Sequence, residues 1–177
     1  MVAEYEAVLR ETLAEGSARL AAYGYLLTGS QDAGEELVQE AVVKVFARRR
    51  AIPNARAGEA YVRAAMRTLH VDGVRRAIRW RRLMPGQVAP LIVDDSAGAI
   101  DAADALGRAL ATLAPQQRTA IVLRYYDDLA LADVAAAMGL AVGTVKRYVS
   151  DALDRLATAV GDQDLEFERI TVTERGQ

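Results

Sequence analysis

The chain has 177 residues, is 52% hydrophobic, and carries 22 basic against 24 acidic side chains, which is enough apolar content for one domain or two small ones. It contains no run of about 18 uncharged apolar residues, so no membrane span is expected, and the acidic start MVAEYEAVLRE is unlike a secretory signal. Zero cysteines exclude disulfides, thiol nucleophiles and cysteine-ligated zinc, and the single histidine, His70, leaves little for metal or cofactor chemistry, so a cytoplasmic protein is expected.

Helix formers dominate, strand signals are nearly absent, and an all-α fold is predicted. A first amphipathic helix covers Glu4–Leu27, with Gly16 and Gly24 as candidate bends. Thr28-Gly29-Ser30 breaks it; Ser30 can N-cap a second helix, Gln31–Arg49, with Asp32 in its first turn. After the loop Ile52-Pro53-Asn54, a third helix runs from about Ala57 to Arg82. Met84–Ala99, with two prolines and no helical period, reads as a flexible linker and domain boundary. Helices resume at Asp101–Leu113 and Gln116–Tyr126, the latter opened by Pro115 and closed by Asp127-Asp128. Beyond Val160 the periodicity is lost. The expected organisation is two small helical domains, 1–83 and 105–160, joined by a linker at 84–104 and followed by a tail at 161–177.

Charge is segregated along this layout. Residues 1–43 hold 2 basic and 8 acidic side chains, residues 44–82 hold 12 and 2, and residues 83–177 hold 8 and 14. A near-neutral average therefore hides a basic block between acidic ones, which points to a polyanion partner for the middle. Tyr61, Arg63, Arg67, Arg75, Arg76, Arg79, Trp80, Arg81 and Arg82 share the third helix. So many arginines with so few acids repel one another unless a polyanion neutralises them. Aromatics among them suit unpaired bases; a membrane surface with Trp80 as anchor and a core role for Tyr61 are the competing readings.

Leu131–Ser150, LADVAAAMGLAVGTVKRYVS, reads as a helix-turn-helix. Ala135 permits close helix approach, Gly139 accepts positive φ in the turn, and Val145 plugs the second helix into the core. Val134, Met138, Leu140 and Val149 complete the inward face, leaving Thr144, Lys146, Arg147, Ser150 and Asp151 outward on a recognition helix at Gly143–Asp154. Lysine and arginine there can donate to guanine edges or phosphates. Catalysis finds no support: His70 has no partner at helical spacing, Asp94-Asp95 and Asp127-Asp128 read as linker and cap residues, and no Walker loop or GxGxxG is present.

Three stretches resemble the small extracytoplasmic-function (ECF) sigma factors of the sigma-70 family. LLTGSQDAGEELVQEAVVKVFARR (Leu26–Arg49) and EAYVRAAMRTLHVDGVRR (Glu59–Arg76) are similar to region two. LATLAPQQRTAIVLRYYDDLALADVAAAMGLAVGTVKRYVSDALDRL (Leu110–Leu156) is similar to region four. The resemblance implies a non-enzymatic specificity subunit of bacterial RNA polymerase. Asp32, Glu36, Leu37, Gln39 and Glu40 would meet the polymerase β′ clamp helices. The loop Ala47–Glu59 and the helix Tyr61–Arg82 would bind and melt the −10 element, with Tyr61, Arg63, Arg67, Arg75, Arg76, Arg79 and Trp80 as candidates. Region four would contact the β-flap and read the −35 element through Thr144, Lys146, Arg147 and Ser150. The linker, with Asp94, Asp95, Asp101 and Asp104, would run toward the RNA exit path, and an anti-sigma factor is an implied partner. Two departures stand out: Thr68 replaces the family's common asparagine, and Arg147, Tyr148 and Asp151 replace its usual serine, arginine and further basic residues. The alternative is a helix-turn-helix regulator that acts without polymerase.

Overall fold

The computed structural model describes residues 2–47, 52–83 and 102–160. Within them the regular elements are helices: α1 (Val2–Thr28), α2 (Gln31–Phe46), α3 (Ala55–Leu83), α4 (Ala102–Ala111), α5 (Pro115–Ile121), α6 (Leu131–Met138) and α7 (Val142–Val160). Helix α5 continues into one π-helical turn, Val122–Tyr126. The expected all-α fold is what forms. Residues 84–101 and the tail 161–177, with Asp94, Asp95 and Asp101, lie outside the described residues, as do residues 48–51 of the loop. Asp104 falls within α4 rather than in a linker.

Local chemistry sets the helix ends. The Ser30 hydroxyl accepts from the Ala33 N–H at 3.4 Å, opening α2 with Asp32 in its first turn. Asn54 does the same for α3, its Oδ1 accepting from the Ala57 N–H at 2.9 Å. Pro115 occupies the first turn of α5, where its missing N–H costs nothing.

Helices α1 to α3 form one bundle around Leu20, Tyr23, Leu27, Leu37, Ala41, Phe46, Val62 and Met66. Helix α1 runs uninterrupted through Gly16 and Gly24, the expected bends. The glycine at 24 serves a close approach instead. A Cβ there would lie 2.7 Å from the Gly34 carbonyl oxygen, and one on Gly34 would lie 2.8 Å from the Gly24 carbonyl carbon. Backbone meets backbone at this α1–α2 crossing, so neither residue has room for a side chain.

Helices α4 to α7 enclose a second core of Leu110, Leu113, Ile121, Leu123, Val134, Met138, Val145, Val149 and Leu156. The two units are docked rather than separate. Val71 and Val74 of α3 belong to this second core, while Val122 of the π turn belongs to the first. Val122 and Leu123 are chain neighbours, 2% and 0% exposed, pointing into different cores. Fully burying such a side chain contributes about 1.5–3 kcal/mol.

Polar contacts reinforce the docking. The Arg118 guanidinium, on α5, reaches the Thr28 carbonyl at the end of α1. His70 Nε2 of α3 lies 2.9 Å from the Thr119 hydroxyl of α5. That hydroxyl already donates its one proton to the Pro115 carbonyl at 2.8 Å, so it must accept from a Nε2–H tautomer of His70. Burial, helped by the Arg118 charge, lowers the His70 pKa to about 4 from its ordinary 6.5. Between those values the unfolded chain binds more protons than the folded one. Stability is therefore full above about 6.5 and falls as pH drops through the window. Going from about pH 7 to about pH 5 is expected to cost roughly 1–2 kcal/mol, read as a urea midpoint, and His70→Gln should remove this part of the dependence.

Candidate nucleic-acid interface

Helix α6 ends at Gly139, which takes φ +64. The Gly139 N–H donates to the Ala136 carbonyl at 3.3 Å and the Leu140 N–H to the Ala135 carbonyl at 3.0 Å. This paired closure satisfies the last carbonyls of α6 and requires a residue comfortable at positive φ. Helix α7 then starts at Val142. Val134, Ala135, Met138, Val145 and Val149 are buried, as the residue pattern predicts, and Leu140 packs partly buried against them. Lys146, Arg147, Ser150 and Asp151 are exposed on one side of α7. Thr144 is only half-exposed, beside an open cavity of about 330 Å³ that it shares with Arg81 and Arg82 of α3 and Tyr148. The recognition helix and the C-terminal end of the basic helix thus meet at one corner of the molecule.

Along α3 the basic residues divide into two groups. Arg76, Arg79, Trp80, Arg81 and Arg82 are exposed, Trp80 at 45%. Tyr61 is 42% exposed, so the core role weighed for it is not the one it takes. Arg63, Arg67 and Arg75 are partly enclosed. Arg75 lies against Gly139 of the helix-turn-helix, its Nε 3.2 Å from where a Cβ would stand. Arg63 pairs with Glu59 at 3.3 Å, and that carboxylate is also forked by Arg19 at 2.9 and 2.6 Å. The Arg19 hydrogen bonds hold the Glu59 carboxyl below its ordinary range.

A cluster that sequence reasoning missed lies where α1, α3 and the π turn meet. The rings of Tyr23 and Tyr126 stack with centroids 5.2 Å apart and planes at 23°, and the Arg63 guanidinium sits 5.6 and 5.7 Å from the two centroids. Tyr23 donates its hydroxyl proton to Asp127 at 2.8 Å, and Arg67 lies 3.7 Å from the same carboxylate oxygen. Burial and the Asp127 charge raise the Tyr23 pKa, which keeps the phenol protonated as a donor. Asp127, read from sequence as a helix stop, is therefore also the acceptor of this cluster.

The expected polymerase-binding residues lie on α2. Asp32, Glu36, Gln39 and Glu40 are exposed together, with Glu35 and Val43, the latter at 66%, on the same face. Leu37 is corrected: it is 8% exposed and packs into the first core, so its side chain is not available to a partner. Its position follows from the stripe it shares with Ala41, four residues on.

Three comparisons bear on this geometry. Residues 103–156 match the model for sigma-70, region 4. The chain is 31% identical to the RNA polymerase sigma-E factor of Streptomyces avermitilis, over 80% of its own length and 78% of the relative's. It is 30% identical to the ECF RNA polymerase sigma factor SigL of Mycobacterium tuberculosis, over 94% and 93%. The chain belongs to the sigma-70 family, in its ECF group. A solved sigma factor, RpoE from Bartonella quintana in complex with the anti-sigma factor NepR, superposes with a TM-score of 0.51 at 27% identity, covering 88% of this chain and 98% of that one.

For this family member, the described residues contain no cluster of three or more His, Asp or Glu side chains placed to hold a metal. None of their helices is long and apolar enough to cross a membrane. What sequence reading overlooked in this sigma factor was Val43, Tyr23, Tyr126 and the acceptor role of Asp127. The only available signal was the run Tyr125-Tyr126-Asp127-Asp128, two aromatics and two acids at a helix end.

Proposed function

We propose that this protein is a promoter-specificity subunit of bacterial RNA polymerase that acts in the cytoplasm without chemistry of its own. The observation that carries the reading is the pairing of two exposed, donor-rich elements in an ECF sigma-70 chain. One is the exposed Lys146–Arg147–Ser150 side of α7, and the other is the arginine-rich end of α3. Unlike elements on one chain suit an asymmetric promoter, whereas a dimeric regulator reads two copies of the same half-site. In this reading α7 enters the major groove at the −35 element. Arg75, Arg76, Arg79 and Trp80, with Tyr61, Arg63 and Arg67, engage the −10 element and its unpaired strand.

The α2 face would dock on the β′ clamp helices, the C-terminal unit on the β-flap, and an anti-sigma factor would hold the protein inactive. Four of the exposed residues on that face are acids: Asp32, Glu35, Glu36 and Glu40. Glu36→Lys combined with Glu40→Lys is expected to abolish co-elution with core polymerase on gel filtration. Helix content should be unchanged, since exposed substitutions typically alter stability by about 0.5 kcal/mol or less. Undiminished co-elution would remove this face as the polymerase contact.

A further inference from the structure

We propose that the cavity where α3 meets the helix-turn-helix is a binding site for a nucleoside phosphate. This is a small-molecule site, and it does not depend on the promoter-binding reading above.

The cavity, about 330 Å³, lies within the roughly 300–1,000 Å³ range of small-molecule sites. Three helices supply its polar side. Arg81 and Arg82 come from the last turn of α3, Thr144 from the first turn of α7, and Gln116 from the start of α5. No carboxylate lines it, and neither guanidinium has an ion pair among the described residues. Adjacent arginines without an acid repel each other until a multiply charged anion meets both, and a guanidinium fork matches phosphate oxygens. Ala141 and Thr144 set the start of the 19-residue helix α7 at the cavity wall, so the positive end of its dipole adds to the attraction.

Gln116 separates this cavity from a merely basic corner. Its side chain is 9% exposed, lines the cavity, and has no hydrogen-bond partner among the described residues. A buried amide left unpaired keeps its desolvation cost, so the position gains when a ligand supplies the partner. A carboxamide presents a donor beside an acceptor, the pattern that pairs with adjacent groups on a nucleobase edge. The remaining wall suits the flat body of a base. Ile78 and Leu140 are partly buried apolar side chains, and the half-buried Tyr148 offers its ring one turn beyond Thr144. One cavity thus holds a hydrogen-bonding edge, an apolar face and paired cations, the three things that a base and its phosphates need.

The test is isothermal titration of the full chain, at about 0.1 M salt, with the diphosphates of adenosine, guanosine, cytidine and uridine, with the four unphosphorylated nucleosides, and with pyrophosphate. At least one diphosphate should bind one-to-one, about tenfold or more tighter than its nucleoside and than pyrophosphate. Arg81→Gln with Arg82→Gln should weaken diphosphate and pyrophosphate alike by about tenfold or more. Both arginines are exposed, so helical circular dichroism should be unchanged. Arg10→Gln with Arg155→Gln removes the same charge from exposed positions outside the cavity and should leave the affinities within about twofold. Gln116→Leu should bring the diphosphate down to the affinity of pyrophosphate and leave pyrophosphate itself unchanged, which a folding defect would not do.

Diphosphates that bind no tighter than pyrophosphate would overturn the proposal, as would a loss of binding in the Arg10 and Arg155 variant equal to that in the Arg81 and Arg82 variant. A single-stranded oligonucleotide is titrated in parallel. An oligonucleotide affinity that falls with Gln116→Leu as far as the diphosphate affinity does would assign the cavity to DNA and overturn it too.

Discussion

Replacing Arg118 by methionine is expected to lower the unfolding free energy by about 3 kcal/mol or more, a large part of the roughly 5–15 kcal/mol that holds a typical domain together. The side chain is 5% exposed and its hydrogen bonds run to main-chain carbonyls rather than to a carboxylate. Its Nε donates to the Leu110 carbonyl at 2.8 Å, and its Nη2 to those of Ala111 at 2.8 Å and Leu113 at 3.1 Å, while Nη1 reaches Thr28. The carbonyls of Leu110, Ala111 and Thr28 are the trailing ones of α4 and α1, at the negative ends of the helix dipoles, and that of Leu113 lies two residues beyond α4. One planar cation thus closes two helices, one from each unit. Burial lowers its pKa, yet a guanidinium stays charged, so the carbonyl ring is what compensates the desolvation. Methionine fills similar volume but removes the guanidinium donor from all of these carbonyls, of which that of Leu110 keeps the Leu113 N–H at 3.1 Å. Lysine keeps the charge without the fork and should recover only part of the stability. Urea unfolding followed by helical circular dichroism checks the ranking; a methionine variant within about 1 kcal/mol of the parent, the usual net worth of a single hydrogen bond, would contradict it.

The second large effect is on promoter choice. Lys146→Ala with Arg147→Ala should reduce discrimination for the upstream element by about 1–3 kcal/mol for each base that a side chain reads, so that the pair together costs around a hundredfold. Both side chains are exposed on α7, away from the buried Val145 and Val149, so the fold should be untouched. The check is the affinity of the reconstituted holoenzyme for a promoter fragment, measured against the same fragment with its upstream element scrambled. In the parent the ratio should be large, and in the double variant it should collapse toward one. A preserved ratio would mean that these residues meet phosphates or nothing. Asp151, exposed one turn beyond Arg147, refuses phosphate and can accept from a cytosine amino group. Asp151→Ala is therefore expected to raise affinity for scrambled sequences.

What was legible in the sequence is what local chemistry controls. Ser30, Pro115 and Gly139 marked helix ends because caps and positive φ depend on single residues. The inward face of the helix-turn-helix followed from its apolar spacing, and so did its outward one. The docking of the two units was not legible. Val71, Val74 and Val122 look like ordinary positions in amphipathic helices, and nothing local says which core receives them. Gly24 and Gly34 are far enough apart in sequence that only the folded crossing shows why both are glycine. Arg118 is harder still, because carbonyl partners exist at every residue and leave no signature. Arg63 and Arg67 look from composition like DNA ligands, and the structure adds their internal partners, Tyr126 and Asp127.

Run-off transcription with bacterial core RNA polymerase on a library of promoter fragments tests the central claim most directly. Core enzyme supplemented with this protein should yield discrete transcripts, absent with core alone, whose start sites share one sequence near −10 and another near −35. Formation of a stable complex with core polymerase that gives no start sites beyond those of core alone would contradict it.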